Sequence, residues 1–239
     1  MSPLLATAVS NVDRTQGLAS RPVLLFIAMA AVSILPFILL LMTSFVKIAV
    51  VLSILKSALG APQIPPSQVI TGLALILTLY VMAPTGERMF RAIEPDLARG
   101  TSAELVSGQS LEVLGGAADK AKEPLREFLL KHASPRDRSL FHAMALRMRA
   151  SDERAGITDR DFLVLVPAFL ASELRRAFEI GLLLFIPFLV VDLVISNLLL
   201  ALGMHMLSPT TVSLPFKLLL FVLADGWQLL LRGLVESYV

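Results

Sequence analysis

Two long apolar stretches flank one charged stretch in this chain. From Pro22 to Leu55 the only charged side chain is Lys47. At ~1.5 Å per helical residue, Pro22 to Phe45 reaches roughly 36 Å, enough to cross a bilayer core of about 30 Å. Pro36 lies inside this run and is expected to bend or break the helix there. A second apolar run, Val69 to Ala83, reaches roughly 22 Å if helical and is marginal as a span. Between them, Lys56 to Pro66 holds Gly60 and three prolines and reads as a turn or extended hinge. Apolar sequence returns at Phe162. Ser172 to Glu179 interrupts it with charge, Ile180 to Leu207 resumes it with Pro187 and Asp192 inside, and Ser208-Pro209 ends it. A last segment, Val212 to Val235, contains Pro215, Lys217, Asp225 and Arg232.

The charges collect between Thr85 and Asp161. These residues hold 13 basic and 13 acidic side chains, 26 of the chain's 40. The stretch reads as mostly helical. Leu125, Phe128 and Leu129 fall on one face at i, i+3, i+4, and so do Phe141, Met144, Ala145 and Met148, opposite Arg147, Arg149 and Arg154. Gly100 to Gly116, rich in Ser, Gly and Ala, is expected to be a loop. The resulting organisation is a polar lead-in over residues 1–21, a hydrophobic hairpin over 22–84, a polar, mostly helical domain over 85–161, and a second hydrophobic hairpin over 162–239. The fold class is all-α: kinked hydrophobic helical hairpins, about four hydrophobic segments, with the polar domain inserted. Residues 1–21 lack the basic region of a signal peptide. Lys47 and Lys56, with no acid near them, favour the cytoplasmic side for the first connection, which places the polar domain and the N-terminus on the far side.

Composition narrows the function classes. Of 239 residues 56% are hydrophobic and 17% charged, against roughly 25% charged in soluble domains. A soluble monomer of this size would have to expose large apolar patches, and disorder requires the opposite balance. The absence of cysteine removes disulfides, thiolate metal sites and cysteine nucleophiles. A net charge of +2 points to no nucleic-acid partner. No phosphate loop, dinucleotide fingerprint, zinc-protease or nucleophile-elbow motif occurs, so the chain reads as a non-enzyme without metal or cofactor. His132 and His142 lack helical ligand spacing and read as exposed helical histidines. Met204-His205-Met206 reads as a flexible apolar loop suited to a deformable seal; a copper site built on soft ligands is the competing reading.

Ionisable residues within apolar runs are functional candidates by default. Lys47, Asp192, Lys217 and Asp225 qualify, as does the cluster Glu173, Arg175, Arg176 and Glu179. Arg176 and Glu179 stand at i, i+3 and are expected to pair. A substrate or proton path, ion pairs within or between subunits, and side chains snorkelling to the interface all remain open. Prolines inside the apolar runs favour bent helices buried among protein neighbours.

Two stretches then resemble a known family. Thr43-Ser44-Phe45-x-Lys47-Ile48 followed by Ala58-Leu59-Gly60-x-x-Gln63-x-Pro65-Pro66 resembles the first signature of the FliP/SctR family, inner-membrane export-apparatus components of type III secretion systems. The second signature is fuller. It runs from Leu165-Val166-Pro167-Ala168-Phe169 through Ser172-Glu173-Leu174, Ala177-Phe178-Glu179-Ile180-Gly181, Ile186-Pro187-Phe188 and Asp192-Leu193-Val194. It continues with Gly203-Met204, Leu207-Ser208-Pro209, Ser213-Leu214-Pro215-Phe216-Lys217 and Asp225-Gly226-Trp227. The resemblance covers roughly 35–95 and 145–235. It implies a pentamer of this subunit, joined by a related export-gate subunit and several copies of a small two-helix subunit. A large export-gate ring protein and a switch protein are implied as further partners, and secreted unfolded proteins as the cargo. It implies a pore gated by the loop Gly203, Met204, His205, Met206, Leu207, in the bacterial inner membrane with the assembly extending to the periplasmic side. It also implies that the charged residues named above make contacts within or between subunits. Lys47 and the Ser208 to Lys217 run lean towards the injectisome branch. The family's loop often carries three consecutive methionines; here His205 stands at the centre, which makes pH sensitivity an expectation. A multipass small-molecule or ion transporter is the alternative, weakened by the lack of a half-to-half repeat.

Overall fold

The computed structural model describes residues 26, 29–30, 33–60, 65–100, 108–149 and 156–239, the side chains of 96–100 and 108–115 excepted. All regular structure among them is helical. The chain divides into two compact units, Met1–Leu41 and Met42–Val239. In the first, α1 spans Ser33–Leu41 with Pro36 inside it. Of the bend or break expected at Pro36, the break lies further on: the helix runs through Pro36 and ends at Leu41, and the next begins at Phe45. A proline removes one backbone hydrogen bond, which a helix can absorb. At Thr43 the side chain competes with the helix directly, its Oγ1 accepting the Phe45 N–H at 3.3 Å.

The second unit contains α2 (Phe45–Ala58), α3 (Ser67–Gly100), α4 (Gly108–His132), α5 (Pro135–Arg147), α6 (Phe162–Ala201), α7 (Pro209–Leu223) and α8 (Gly226–Glu236). Gly60, at φ +74°, turns the chain out of α2, in line with the expected hinge; residues 61–64 lie outside the described residues. α3 runs on through Pro84 and Pro95, so its apolar half and the first charges of the polar stretch share one helix. α4 is helical from Gly108, which corrects the loop expected over 108–116. Leu111, Leu114, Ala117 and Ala118 repeat at helical spacing beneath that Ser/Gly-rich composition. Residues 101–107 of that expected loop lie outside the described residues.

α6 has 40 residues, a length of ~60 Å, twice a bilayer core. The charged segment Ser172 to Glu179 does not interrupt it, because Glu, Leu, Arg and Ala are all good helix formers. α3 and α6 are each long and apolar enough to cross a membrane, and the bent pairs α1 with α2 and α7 with α8 meet the same test jointly. That makes two to four spans, in line with about four hydrophobic segments.

α2 sits between α3 and α6, and its residues Ile48, Val51, Leu52 and Leu55 are almost wholly buried. The approach of α2 to α6 depends on Gly181: a Cβ there would lie 2.4 Å from Ile54 Cδ1. With Ala177 one turn earlier, buried in the same core, it forms a small-residue stripe that lets two backbones close. A second core joins α4 to α6 through Leu125, Phe128, Leu129, Leu165 and Phe169, with Tyr238 completing it. The expected apolar face of α4 is thus buried. The face expected on α5 is covered only in part: Phe141 packs against the second core, while Met144 is 46% and Met148 87% exposed, and Asp137 completes the contact with α6. The most apolar windows of α3 and α6 bury only 22% and 11% of their residues within the chain. Apolar faces of that extent require lipid or other protein against them.

Candidate functional site

The charges that interrupt the apolar runs gather at two places. The first lies where α2, α4 and α6 meet the chain end. Ser44 precedes α2, and Lys47 points from its first turn to Glu173 on α6. Lys47 Nζ lies 3.4 Å from Glu173 Oε2, with both side chains fully buried. The ammonium also lies 3.5 Å from the centroid of the Tyr238 ring, a cation–π contact. Tyr238 donates its phenolic hydrogen to the same Glu173 Oε2. Arg176 NH1 donates to Glu173 Oε1 at 2.9 Å. Both carboxylate oxygens are therefore engaged, by two cations and a phenol. Arg176 pairs with Glu173 rather than with Glu179, which corrects the expected pair; Glu179 is exposed and makes no ion pair among the described residues.

Burial, reinforced by the Glu173 carboxylate, pushes the Tyr238 phenol well above its ordinary value. The next turn of the same assembly holds His132. It is 6% exposed, with ring centroids 4.7 Å from Phe128 and 5.0 Å from Tyr238. The expectation of an exposed histidine is corrected here. Burial, then the nearby cations Lys47, Lys131 and Arg176, lower its pKa to about 4.

Arg175, beside this cluster, reaches α5 instead and donates to Asp137 Oδ1 at 2.8 Å. Asp137 is a polar anchor that composition and spacing did not bring forward. Ser134 caps α5: its Oγ accepts the Asp137 N–H at 3.1 Å and donates to Asp137 Oδ2 at 2.9 Å. Ser172 Oγ donates to the same oxygen at 2.7 Å and accepts the Ser134 N–H at 2.8 Å. Burial alone would raise the Asp137 carboxyl; the Ser172 and Ser134 hydroxyls and Arg175 outweigh it and hold it below the ordinary range. The signal was present in Ser134-Pro135-x-Asp137, a helix-start pattern with proline at the first helical position. Tyr238 had no comparable local signal.

The second cluster joins α6, α7 and the end of α2. Lys217 Nζ donates to Asp192 Oδ2 at 2.6 Å and to the Ala58 carbonyl at 3.1 Å. Ser213, one turn before Lys217, donates to Asp192 Oδ1 at 2.5 Å. Ala58 is the last residue of α2, so the ammonium neutralises both a carboxylate and the negative end of a helix. Asp225 belongs to neither cluster. It is exposed, in the left-handed region at φ 48°, and joins α7 to α8 without an ion pair among the described residues. Short polar side chains such as Asp tolerate that conformation. At the next residue a Cβ on Gly226 would lie 2.3 Å from the Phe221 ring.

The loop between α6 and α7 is set by Gly203. At φ +70° it lets Met204 N–H bond to the Leu199 carbonyl at 2.9 Å and its own N–H to Leu200 at 3.0 Å. Both bonds belong to the Schellman motif. Beyond it Met204, His205, Met206 and Leu207 are all exposed, Met206 at 99%. Neither cluster offers a nucleophile held by a base; each neutralises charge at a junction of helices.

A sequence profile of the FliP family matches residues 28–234. Among individual proteins, the chain is 46% identical over 214 residues to a Yop proteins translocation protein R of Yersinia pestis, covering 90% of this chain and 95% of that one. It is 43% identical over 215 residues to the hypersensitivity response secretion protein HrcR of Ralstonia nicotianae, covering 90% and 96%. It is 44% identical over 212 residues to a flagellar biosynthetic protein FliP of Pectobacterium carotovorum subsp. carotovorum, covering 89% and 77%.

Proposed function

The chain belongs to the FliP family, and from that premise we propose that it is a pore-forming membrane subunit of a type III secretion export gate. Component status in the secretion apparatus follows from the relatives' names and the apolar helices; the conduit itself is our reading. About five copies pack side by side with a related subunit and small two-helix subunits, a closed ring or short helix built from repeated contacts. The polar helices lie on the periplasmic side of the inner membrane. The ring protein and switch protein dock on the assembly, and unfolded cargo passes through it. Energy for transport comes from outside this subunit, whose sequence carries no nucleotide-binding motif.

The observation that carries this reading is α6. It is about twice as long as a bilayer's hydrocarbon core is thick, and little of its most apolar window is covered by its own chain. Such a helix fits a protein assembly better than isolated immersion in lipid. The buried pairs Lys47–Glu173 and Lys217–Asp192 would hold each copy's helices in register; a register role for buried ion pairs has precedent. The Gly203 to Leu207 loop would line the pore. Methionines there are adaptable enough to seal around nothing and yield to a chain. The relatives named above are secretion and flagellar proteins, which leaves the small-molecule transporter without support. The injectisome branch is our assignment within the family, supported by the near full-length matches to HrcR and the Yop protein.

Mass measurement of the detergent-extracted, crosslinked complex tests the conduit. The expected result is roughly five copies plus partner subunits; a monomer or dimer overturns it. In the same cells, M204A together with M206A is expected to raise ion leakage while the complex keeps its mass. Unchanged leakage from an intact complex removes the gate assignment.

A further inference from the structure

Two uncovered helix faces in the polar region are complementary to one another. On α5, Arg136, Leu140, Met144 and Arg147 stand at i, i+4, i+8 and i+11, all exposed, and continue into Met148; Arg147, three residues after Met144, shares its face rather than standing opposite it as expected. This face reads base–apolar–apolar–base. On α3, Glu87, Phe90 and Glu94 stand at i, i+3 and i+7, also exposed, with Phe90 at 60%. That face reads acid–aromatic–base–acid, with the exposed Arg91 standing between Glu87 and Glu94 and leaving the face net acidic. Neither arginine of the α5 face, nor Glu94, has an ion pair among the described residues. Glu87 has only Arg91 at 3.5 Å, with both side chains largely in solvent, an interaction of little worth.

Within one chain the two faces are not packed on one another. α3 packs chiefly on α4 and α2, and α5 on α6, so α3 and α5 share no substantial packing. A face of one copy and the other face of the next can pair without using up either. Such a heterologous contact leaves a free half at each end and closes only as a ring or extends as a helix.

We propose that the α5 face of one copy docks on the α3 face of its neighbour. Met144 and Leu140 pack against Phe90, a favourable sulfur–aromatic arrangement, while Arg136 and Arg147 flank it against Glu87 and Glu94. Apolar centre and charged rim is the arrangement that protein interfaces favour, and the charges set orientation and reject the like-charged alternative. The occupant is a second copy of this chain. The inference rests on the multi-copy reading above, and names the surfaces that reading leaves open.

The chain has no cysteine, so introduced thiols report alone. F90C and M144C are made singly and together, and the full complex is oxidised in the membrane. Expected is a ladder of disulfide-linked dimers and larger species from the double variant, and from co-expressed single variants a dimer containing one of each. A homodimer from M144C alone at similar yield means a symmetric contact and overturns the proposal. No ladder from a complex of normal mass also overturns it, while leaving the export-gate reading standing. If the complex has the mass of a monomer, that reading fails first. As a second measure, R136E with R147E is expected to reduce linked dimer roughly tenfold or more. Adding E87R with E94R in the same chain restores it; absence of restoration counts against the charge pairing.

Discussion

Replacing Glu173 by Gln should destabilise the protein by about 3–5 kcal/mol, the range for breaking one side of a buried ion pair. The amide keeps the carboxylate's shape, so packing is preserved and only charge and acceptor capacity change. Lys47 then loses its counter-charge in a fully buried position. Arg176 has a way out, since its side chain is 37% exposed and can turn to water. Tyr238 keeps an acceptor but loses the ionic strength of that bond. Lys47→Met alone is expected to be milder, because Glu173 retains Arg176 and Tyr238. The double variant E173Q with K47M should recover much of the loss, since it leaves no unpaired buried charge. Thermal unfolding of the detergent-extracted protein measures this. Strict additivity of the two single effects would show that the pair is not coupled, and the account of this cluster would then be wrong.

The expected order of severity depends on which charges meet, and that was only partly legible in the sequence. Charges inside apolar runs marked Lys47, Glu173, Asp192, Lys217 and Asp225 as unusual, with Arg175, Arg176 and Glu179; Lys47, Glu173 and Lys217 are buried and Asp192 is half-buried against Lys217, while Asp225 and Glu179 are exposed. Pairing was not legible. Arg176 lies one turn from both Glu173 and Glu179, and helical spacing treats the two alike. The tie is broken by α2, which brings Lys47 and the core to the Glu173 side and leaves Glu179 in the open. The same logic explains α5. Its apolar spacing predicts a stripe, but spacing says that a face is apolar, not that the chain covers it. Helix length is set by other signals. The charge at Ser172 to Glu179 interrupts the apolar run but not the helix, because charged residues of high helix propensity continue it; the break near Thr43 comes from a side chain competing for the backbone.

His132 yields the second large effect, on pH. Its pKa is lowered to about 4, against roughly 6.5 in an unfolded chain. The unfolded state therefore binds a proton that the folded state refuses, and stability must rise with pH over this window. The contribution is complete above about pH 6.5 and shrinks as pH falls towards 4. Between about pH 7.5 and about pH 5 the linkage amounts to about 2 kcal/mol lost. Asp137 has its carboxyl held below the ordinary range, so its own stabilising contribution fades only at lower pH. Tyr238 has its phenol raised and contributes across this whole interval, fading only in alkali. The acid-side slope in the middle window thus belongs to His132. Protonating it would place a fourth cation beside Lys47, Lys131 and Arg176, with Glu173 already engaged by Lys47 and Arg176. His132→Phe should remove the slope while keeping the ring contacts with Phe128 and Tyr238. Unfolding temperatures of the two proteins are compared at the two pH values. If the Phe variant loses as much stability in acid as the parent, the buried histidine is not the source, and the charge environment drawn here for the α2, α4 and α6 junction is incorrect.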